Sequence, residues 1–146
     1  MNVFQRIRNL AKMEERQRWA VERQMARCAR LSPVLSDMPK GGGGSGQRME
    51  EDVILLTILK DQHEKTLAEL KTERGTIAPG IRALKDGNQR TAMTLRYMKN
   101  MRITEIGNTM GYSERQVFRI LERAETKVQQ RLERKTPAKK DVSTCQ

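Results

Sequence analysis

The stretch Ile103–Leu132 reads ITEIGNTMGYSERQVFRILERAETKVQQRL. It contains, in this order, the sequence signals of a short helix, a tight turn and a longer helix. Apolar residues predict the inner face of the first helix because they recur at i, i+3 and i+7: Ile103, Ile106 and Met110. Gly111 follows them, and glycine is the residue that most readily adopts the left-handed conformation ending a helix. Ser113 comes two positions later, where its hydroxyl can cap the next helix.

The second helix is predicted from about Glu114 to Arg134, and Glu114 places a favourable charge at its positive end. Its buried stripe is predicted to be Val117, Ile120, Leu121, Ala124, Val128 and Leu132. Gly107 stands where the two helices approach closely, since it has no Cβ. This order of signals is that of a helix-turn-helix, a motif that inserts the N-terminal end of its second helix into the major groove of DNA.

Five outward residues near that end are the predicted base contacts: Glu114, Arg115, Gln116, Phe118 and Arg119. Arg115 and Arg119 lie one turn apart, and each can donate two hydrogen bonds to guanine O6 and N7. Gln116 can pair with adenine, and Phe118 can contact a thymine methyl group. The predicted phosphate contacts are Arg90, Arg96, Lys99, Arg102, Ser113, Arg123 and Lys127.

The segment EIGNTMGYSERQVFRILERA (105–124) resembles, without gaps, the helix-turn-helix in the C-terminal domain of bacterial sigma factors, which reads the promoter minus-35 element. The preceding Leu95, Arg96 and Tyr97 are similar to that domain's lead-in helix. Over nearly the whole chain, the layout is similar to phage-encoded regulators of the ArpU and RinA type. The resemblance implies activation of phage genes together with host RNA polymerase.

Two departures from the sigma-factor pattern limit what the resemblance implies. The outward base-reading positions hold Glu114, Arg115 and Arg119, so an acidic residue comes first and a basic one second, the reverse of housekeeping sigma factors. We therefore predict that the chain does not read their minus-35 hexamer, and tight selective binding to that hexamer would contradict this. The aromatic residues are few (Phe4, Trp19, Tyr97, Tyr112 and Phe118), which favours assisting promoter recognition over opening promoters.

The net charge of +11 is concentrated in two segments. Residues 1–31 carry eight basic and three acidic side chains, and residues 86–135 carry eleven and six. Residues 47–85 hold seven of each and are neutral. This distribution predicts a DNA-facing module and a second basic helix for phosphates or an acidic partner surface.

Several classes of protein are disfavoured by the composition. No segment approaches the roughly 20 apolar residues of a membrane span, so we expect a cytoplasmic protein with no membrane partner. Cys28, Cys145 and His63 are too few and too scattered for a disulfide framework or a zinc site. No nucleophile–base pair, carboxylate cluster or phosphate-binding glycine loop is present. We therefore expect neither enzymatic activity nor a cofactor.

The predicted fold class is all-α, with five consecutive segments. A basic N-terminal helix occupies residues 1–31 and ends at Ser32 and Pro33. A Pro/Gly-rich linker follows at 32–46, and its GGGGSG run is compatible with either a native loop or an introduced linker. A long helical segment occupies 47–85, the helix-turn-helix domain 86–135, and a disordered tail 136–146.

The long segment carries a seven-residue repeat: Met49, Leu56, His63, Leu70, Ile77 and Leu84, with Val53, Leu67 and Ile81 four residues after members of the series. Such a repeat predicts a coiled-coil seam, either between two protomers or as a hairpin against the N-terminal helix. His63 is interpreted as a partly buried seam residue next to water or an acid. Gly75, Pro79 and Gly80 predict a kink or break, with Thr76–Leu84 as a separate short helix.

Two mechanisms and two other functions stay open at this stage. A symmetric dimer would read an inverted repeat, whereas a monomer beside RNA polymerase would read one half-site. A phage small terminase subunit also combines a helix-turn-helix with a coiled coil, and it would form large rings. A helical protein that binds RNA polymerase without touching DNA would use the same basic faces.

Overall fold

The computed structural model describes residues 2–37 and 43–135, in which every regular element is a helix. In chain order these are α1 (Val3–Asp37), α2 (Gly43–Arg82), α3 (Gly87–Met93), a π-helical turn (Thr94–Met98), α4 (Ile103–Met110) and α5 (Glu114–Lys135). The predicted all-α class, with a long N-terminal and a long central helix, is confirmed. The predictions for the tail at 136–146, and for residues 38–42 of the linker, lie outside the described residues.

The chain forms two compact units. The hairpin unit comprises residues 9–70, and the helix-turn-helix unit comprises, of the described residues, 2–8 together with 71–135. Both long helices therefore contribute residues to both units. No helix in the described part of the chain meets the length and hydropathy that a membrane crossing requires.

The hairpin unit is built from α1 and α2, which contact each other in antiparallel order. Gln24 Nε2 donates to the backbone oxygen of Asp52 at 2.9 Å, and Glu14 Oε1 lies 3.1 Å from His63 Nε2. The seam predicted from the seven-residue repeat therefore pairs α2 with α1 of the same chain, and His63 has the acidic neighbour expected of a seam residue. Three of the predicted seam residues are instead exposed: Met49, Val53 and Leu67.

Two predicted helix ends are wrong. The backbone of α1 continues to Asp37, past the end predicted at Ser32 and Pro33. Likewise, α2 runs unbroken through Pro79, so Thr76–Leu84 is not a separate helix. Pro79 removes one backbone hydrogen bond and crowds the carbonyl of Gly75, four residues earlier, and the helix nevertheless continues to Arg82.

The core of the helix-turn-helix unit is completed by the first turns of α1. Val3, Phe4 and Ile7 are at most 5% exposed, and the Phe4 ring lies 5.2 Å from the Tyr97 ring, centroid to centroid. The end of α2 closes another side, since a Cβ added at Gly80 would come within 2.9 Å of a Val128 methyl group. Residues 86–135 thus form their core together with segments from elsewhere in the chain.

Candidate nucleic-acid interface

The turn between α4 and α5 depends on two glycines. A Cβ added at Gly107 would lie 2.6 Å from the backbone oxygen of Tyr112, so only glycine lets the turn cross this close to α4. Gly111 has φ of +76°, and its N–H donates to the oxygen of Gly107 at 2.8 Å. The predicted helix end at Gly111 and the predicted close approach at Gly107 are both confirmed.

The start of α5 is closed by a reciprocal cap between Ser113 and Gln116. The backbone N–H of Gln116 donates to Ser113 Oγ at 3.3 Å, as the sequence predicts. In return, Gln116 Oε1 accepts from the backbone N–H of Ser113 at 2.9 Å. Pairing with adenine needs the oxygen and the nitrogen of the same amide. Gln116 therefore serves as a capping residue here, because its oxygen is already in use.

A side-chain contact joins Glu114 to α4. Thr104 Oγ1 donates to Glu114 Oε1 at 2.7 Å, which holds the carboxylate at the first position of α5. The contact ties the two helices of the motif together beside the turn. One oxygen of Glu114 is thereby engaged, which leaves the other to accept a hydrogen bond from a ligand.

The outward face of α5 presents arginines and one aromatic ring. Arg115, Arg119 and Arg123 are exposed at four-residue intervals, which places them one above another on the helix. Phe118 lies on the same part of the helix with 58% of its surface exposed. The opposite face is closed, since Val117, Leu121, Ala124 and Val128 are at most 4% exposed and Ile120 and Leu132 are half-buried. The helix thus faces solvent with the side chains predicted to read bases.

The predicted phosphate contacts fall into two groups. Arg90, Lys99, Arg102 and Arg123 are exposed. Arg96 and the exposed Lys127 have hydrogen-bond partners within the unit, and Ser113 is the cap of α5. Arg96 is half-buried, and its Nη1 donates to the backbone oxygen of Met101 at 3.1 Å, so it supports the segment leading into α4. Lys127 Nζ donates to Oε1 of the buried Gln89 at 3.1 Å.

A partly buried polar cluster around Tyr97 contacts α5 on the side opposite its exposed arginines, and sequence reasoning missed it. The Tyr97 hydroxyl accepts from Arg8 Nη1 at 2.9 Å and donates to the Glu125 carboxylate, while Arg8 and Glu125 lie 3.6 Å apart. Burial, together with the nearby Glu125 carboxylate, raises the pKa of the Tyr97 phenol well above its ordinary value. The cluster links the N-terminal end of α1, the π-helical turn and α5.

The π-helical turn sets the position of Tyr97. Its wider winding appears in the bond from Lys99 N–H to the oxygen of Thr94, five residues back. Arg74 Nε donates to the backbone oxygen of Tyr97 at 2.8 Å, which joins α2 to this turn. No pattern in the sequence marks a π-helical turn, so this support could be found only in the structure.

Metal-binding groups are sparse in the described regions. Among the residues that the structure describes, no three His, Cys, Asp or Glu side chains come together in a way that could hold a metal ion. His63 lies beside Glu14 in the hairpin unit, and Cys28 is a half-buried free thiol. The polar contacts of the helix-turn-helix unit instead join arginine, carboxylate, amide and hydroxyl groups.

Comparison with known families gives a match over most of the chain. The profile of a family described as "Protein of unknown function (DUF1492)" matches residues 31–129, which include all of α2 and most of α5. The chain belongs to this family. Comparison with curated proteins and with solved structures gives no match. The first turns of α1, which complete the core around Tyr97, lie outside the matched region of this DUF1492 protein.

Proposed function

We propose that this protein is a sequence-specific regulator of transcription that binds duplex DNA through residues 103–134, with α5 in the major groove. The observation that carries the proposal is the pairing of Arg115 with Arg119. Both are exposed one turn apart, on a helix whose start is capped and whose other face is buried. Guanidinium groups in that arrangement suit the O6 and N7 atoms of guanine.

The side-chain contacts refine the assignment of base-reading residues. We assign discrimination to Arg115, Arg119 and Phe118, which project from α5 near its start. Glu114 keeps one oxygen that can accept from the amino group of cytosine, at a position set by Thr104. Gln116 serves mainly as the cap, and rotation toward a base would break that cap.

Four exposed basic residues around α5 are the proposed phosphate contacts: Arg90, Lys99, Arg102 and Arg123. Such contacts position a protein on the duplex and make binding weaken as salt increases. Ser113 adds a backbone N–H near the positive end of α5, where a phosphate is favourably bound if the cap opens.

The biological setting of the proposal rests on resemblance. The similarity of residues 105–124 to the sigma-factor motif, and of the chain's layout to ArpU- and RinA-type regulators, supports activation of phage genes in the bacterial cytoplasm. Host RNA polymerase is the proposed protein partner. The few aromatic side chains support assistance to polymerase rather than promoter opening.

Selection of bound duplexes from a random-sequence pool, at near-physiological salt, tests the proposal. We expect an enriched half-site containing guanines. Arg115→Ala and Arg119→Ala should each lower specific affinity by about 10- to 100-fold, which corresponds to about 1–3 kcal/mol. Arg134→Ala, an exposed arginine in the last turn of the same helix, is the matched control and should leave the enriched sequence unchanged.

Other outcomes would contradict the proposal. Absence of enrichment, with equal binding by the wild type and both arginine variants, would indicate a polymerase-binding protein without base readout. Large rings in solution would favour a small terminase subunit. A uniform loss of affinity across all sequences would assign Arg115 and Arg119 to phosphates rather than to bases.

A further inference from the structure

The part of α1 that belongs to the hairpin unit carries two groups of basic side chains within residues 9–30. Two of these side chains pair with acids of the same unit: Arg18 Nη1 lies 4.0 Å from Glu14 Oε1, and Arg27 Nε lies 3.5 Å from Asp52 Oδ1. The others are exposed and have no ion pair within the described residues. These unpaired cations are Lys12, Arg16, Arg23 and Arg30.

The unpaired cations lie along one line of α1, and this line faces away from α2. Their positions in the sequence keep them within about 40° of one another around the helix, over about 27 Å of its length. Arg16 lies two residues after Glu14, the seam residue beside His63. Arg23 lies two residues after Val21, which is 9% exposed. Each of the two arginines is therefore about 160° around the helix from a residue that faces α2.

An indole ring lies beside this line of cations. Trp19 is 61% exposed, which is the largest exposed fraction of any large apolar side chain that the structure describes. Trp19 is three residues from Arg16 and four from Arg23, so both arginines are its neighbours on the helix surface. Together with Lys12, these three side chains line a shallow groove. An uncovered aromatic ring therefore stands next to cations that have no acidic partner among the described residues.

The nearby acids border this groove on one side only. Glu15 also lines the groove, and Glu22 is exposed near it. Both lie about 60° to 80° around the helix from Lys12, on the side of Trp19 away from the other cations. The surface thus has cations along one side, an aromatic ring in the middle and carboxylates on the other side. A phosphate backbone is attracted to the cationic side alone, which directs its bases across the ring.

The combination of cations and an exposed ring favours a single-stranded nucleic acid as the ligand. Proteins that bind single strands combine basic groups, which follow the phosphates, with aromatic side chains on which bases stack. A duplex keeps its bases stacked inside, so its phosphates reach the cations but no base covers Trp19. An acidic protein surface pairs with the cations as well, yet it offers no planar base to the ring.

We propose that the hairpin unit binds single-stranded nucleic acid along α1, with phosphates on Lys12, Arg16, Arg23 and Arg30 and a base stacked on Trp19. The site uses residues of a different unit from α5, so it goes beyond the proposed duplex binding and does not depend on it. Single strands of DNA and RNA offer the same phosphates and stacking bases. Their shared chemistry defines the ligand, and separate arms of the experiment distinguish the two.

Tryptophan fluorescence of the full chain tests the stacking directly, because Trp19 is the only tryptophan of the protein. Titration with an oligothymidylate of about 12 nucleotides should quench this emission, since a stacked base quenches the indole. An oligouridylate of the same length is the RNA arm, and the strand that binds more tightly identifies the source. A duplex of the same length should leave the emission unchanged. Equal quenching by the duplex would overturn the assignment to single strands.

Anisotropy of a dye-labelled oligothymidylate measures the contribution of each side chain. Trp19→Ala should raise the dissociation constant about 10- to 100-fold, whereas Trp19→Phe keeps an aromatic ring and should retain most of the affinity. Arg16→Ala combined with Arg23→Ala should lower the slope of log K against log salt by about 1.4, since each phosphate contact contributes about 0.7. Arg18→Ala is the matched control, because this exposed arginine of α1 lies off the line of cations.

Other results would also overturn the proposal. Absence of quenching by both single strands at low salt would assign the line of cations to an acidic protein surface. Equal affinity of the wild type and Trp19→Ala would reduce the binding to charge attraction without a stacking site. Equal losses of affinity in Arg18→Ala and in the double arginine variant would show that net charge determines binding, rather than the line of cations. Circular dichroism verifies that each variant keeps its helices.

Discussion

The helix-turn-helix unit and the hairpin unit bury their apolar residues to different extents. In the former, Ile77, Met93, Ile106 and Val117 are completely buried. The latter has a narrow seam in which polar residues are also buried, namely Gln24, Asp52 and Thr66, and its outer faces expose apolar side chains. Several helices can enclose a core, whereas two helices have only one line of contact.

This difference in burial indicates which surface of each unit can bind a partner. Because the core of the helix-turn-helix unit is closed, the outer face of α5 can be polar and selective without a cost in stability. The hairpin unit leaves apolar side chains exposed on its outer faces. The following predictions test the core, the turn and the helix cap of the helix-turn-helix unit, beginning with the largest expected effect.

The first prediction concerns Phe4, which the contact with Tyr97 places in this core. Phe4 is 2% exposed, so Phe4→Ala should lower the free energy of unfolding by about 3–5 kcal/mol, as measured by urea denaturation. Phe118→Ala is the control of identical chemistry, since Phe118 is 58% exposed in the same unit, and its effect should stay within about 0.5 kcal/mol. Equal effects of the two substitutions would contradict the role of α1 in the core.

The second prediction concerns Gly107. A methyl group there meets the backbone oxygen of Tyr112 at 2.6 Å, and a backbone atom cannot move aside easily. Gly107→Ala should therefore destabilise the protein by about 2–3 kcal/mol and weaken the proposed DNA binding through displacement of the turn.

Gly75→Ala is the control for that substitution. Gly75 lies inside α2 in the same unit, and a Cβ there meets no atom within 4 Å. Alanine forms helix better than glycine, so this change should stabilise the protein by up to about 1 kcal/mol. If Gly107→Ala and Gly75→Ala changed the free energy of unfolding in the same direction, the close approach at Gly107 would not explain the effect of Gly107→Ala.

The third prediction concerns Tyr97 and alkaline pH. Tyr97→Phe removes the hydroxyl between Arg8 and Glu125 and should cost about 1–2 kcal/mol at neutral pH. The pKa of Tyr97 is raised in the folded state, so above about pH 10 the unfolded chain loses this proton while the folded chain keeps it. Above about pH 10, the free energy of unfolding therefore falls as the pH rises, by up to about 1.4 kcal/mol per pH unit.

Unfolding free energies of the wild type and Tyr97→Phe, measured from pH 7 to about pH 11, check this. The wild type should lose its advantage over the variant as the pH passes about 10. Parallel curves over the whole range would argue against a buried, neutral phenol at this position.

The smallest effect is expected at the cap of α5. Ser113→Ala removes the oxygen that accepts from Gln116 N–H and should cost about 1 kcal/mol, whereas Ser113→Gly should cost only a few tenths. Thermal denaturation of the two variants measures the difference. Identical melting temperatures for wild type and Ser113→Ala would show that the cap contributes nothing to stability.

The segment from α4 to α5 could be predicted closely because its signals are local. Apolar spacing, Gly111 and Ser113 each act within a few residues, and the observed bounds, Ile103–Met110 and Glu114–Lys135, follow those signals. The helix end predicted at Ser32 and Pro33 and the break predicted near Pro79 rested on equally local signals, and both predictions were wrong. Around Pro79, the burial of Ile77, Gly80 and Ile81 stabilises a continuous α2 more than one missing backbone hydrogen bond destabilises it.

In the candidate site, too, local features could be predicted from the sequence and contacts between distant residues could not. Exposure of Arg115, Phe118 and Arg119 follows from helical periodicity, so sequence reasoning identified them correctly as outward residues. The partners of Glu114, Arg96 and Lys127 could not be predicted, because those side chains contact groups of residues that are 5 to 38 positions away in the sequence. A polar side chain with no evident partner in the sequence can therefore already be hydrogen-bonded within the fold.

By itself, the sequence determined that this protein is helical, where the turn of its helix-turn-helix lies, and which side of α5 faces outward, because these properties depend on residues within one or two turns of each other. Only the tertiary structure decided that Val3, Phe4 and Ile7 complete the core around Tyr97, and that α2 packs against α1 of its own chain. Those arrangements are set by packing between segments far apart in the chain, and local patterns carry no information about which distant surface a helix face will meet.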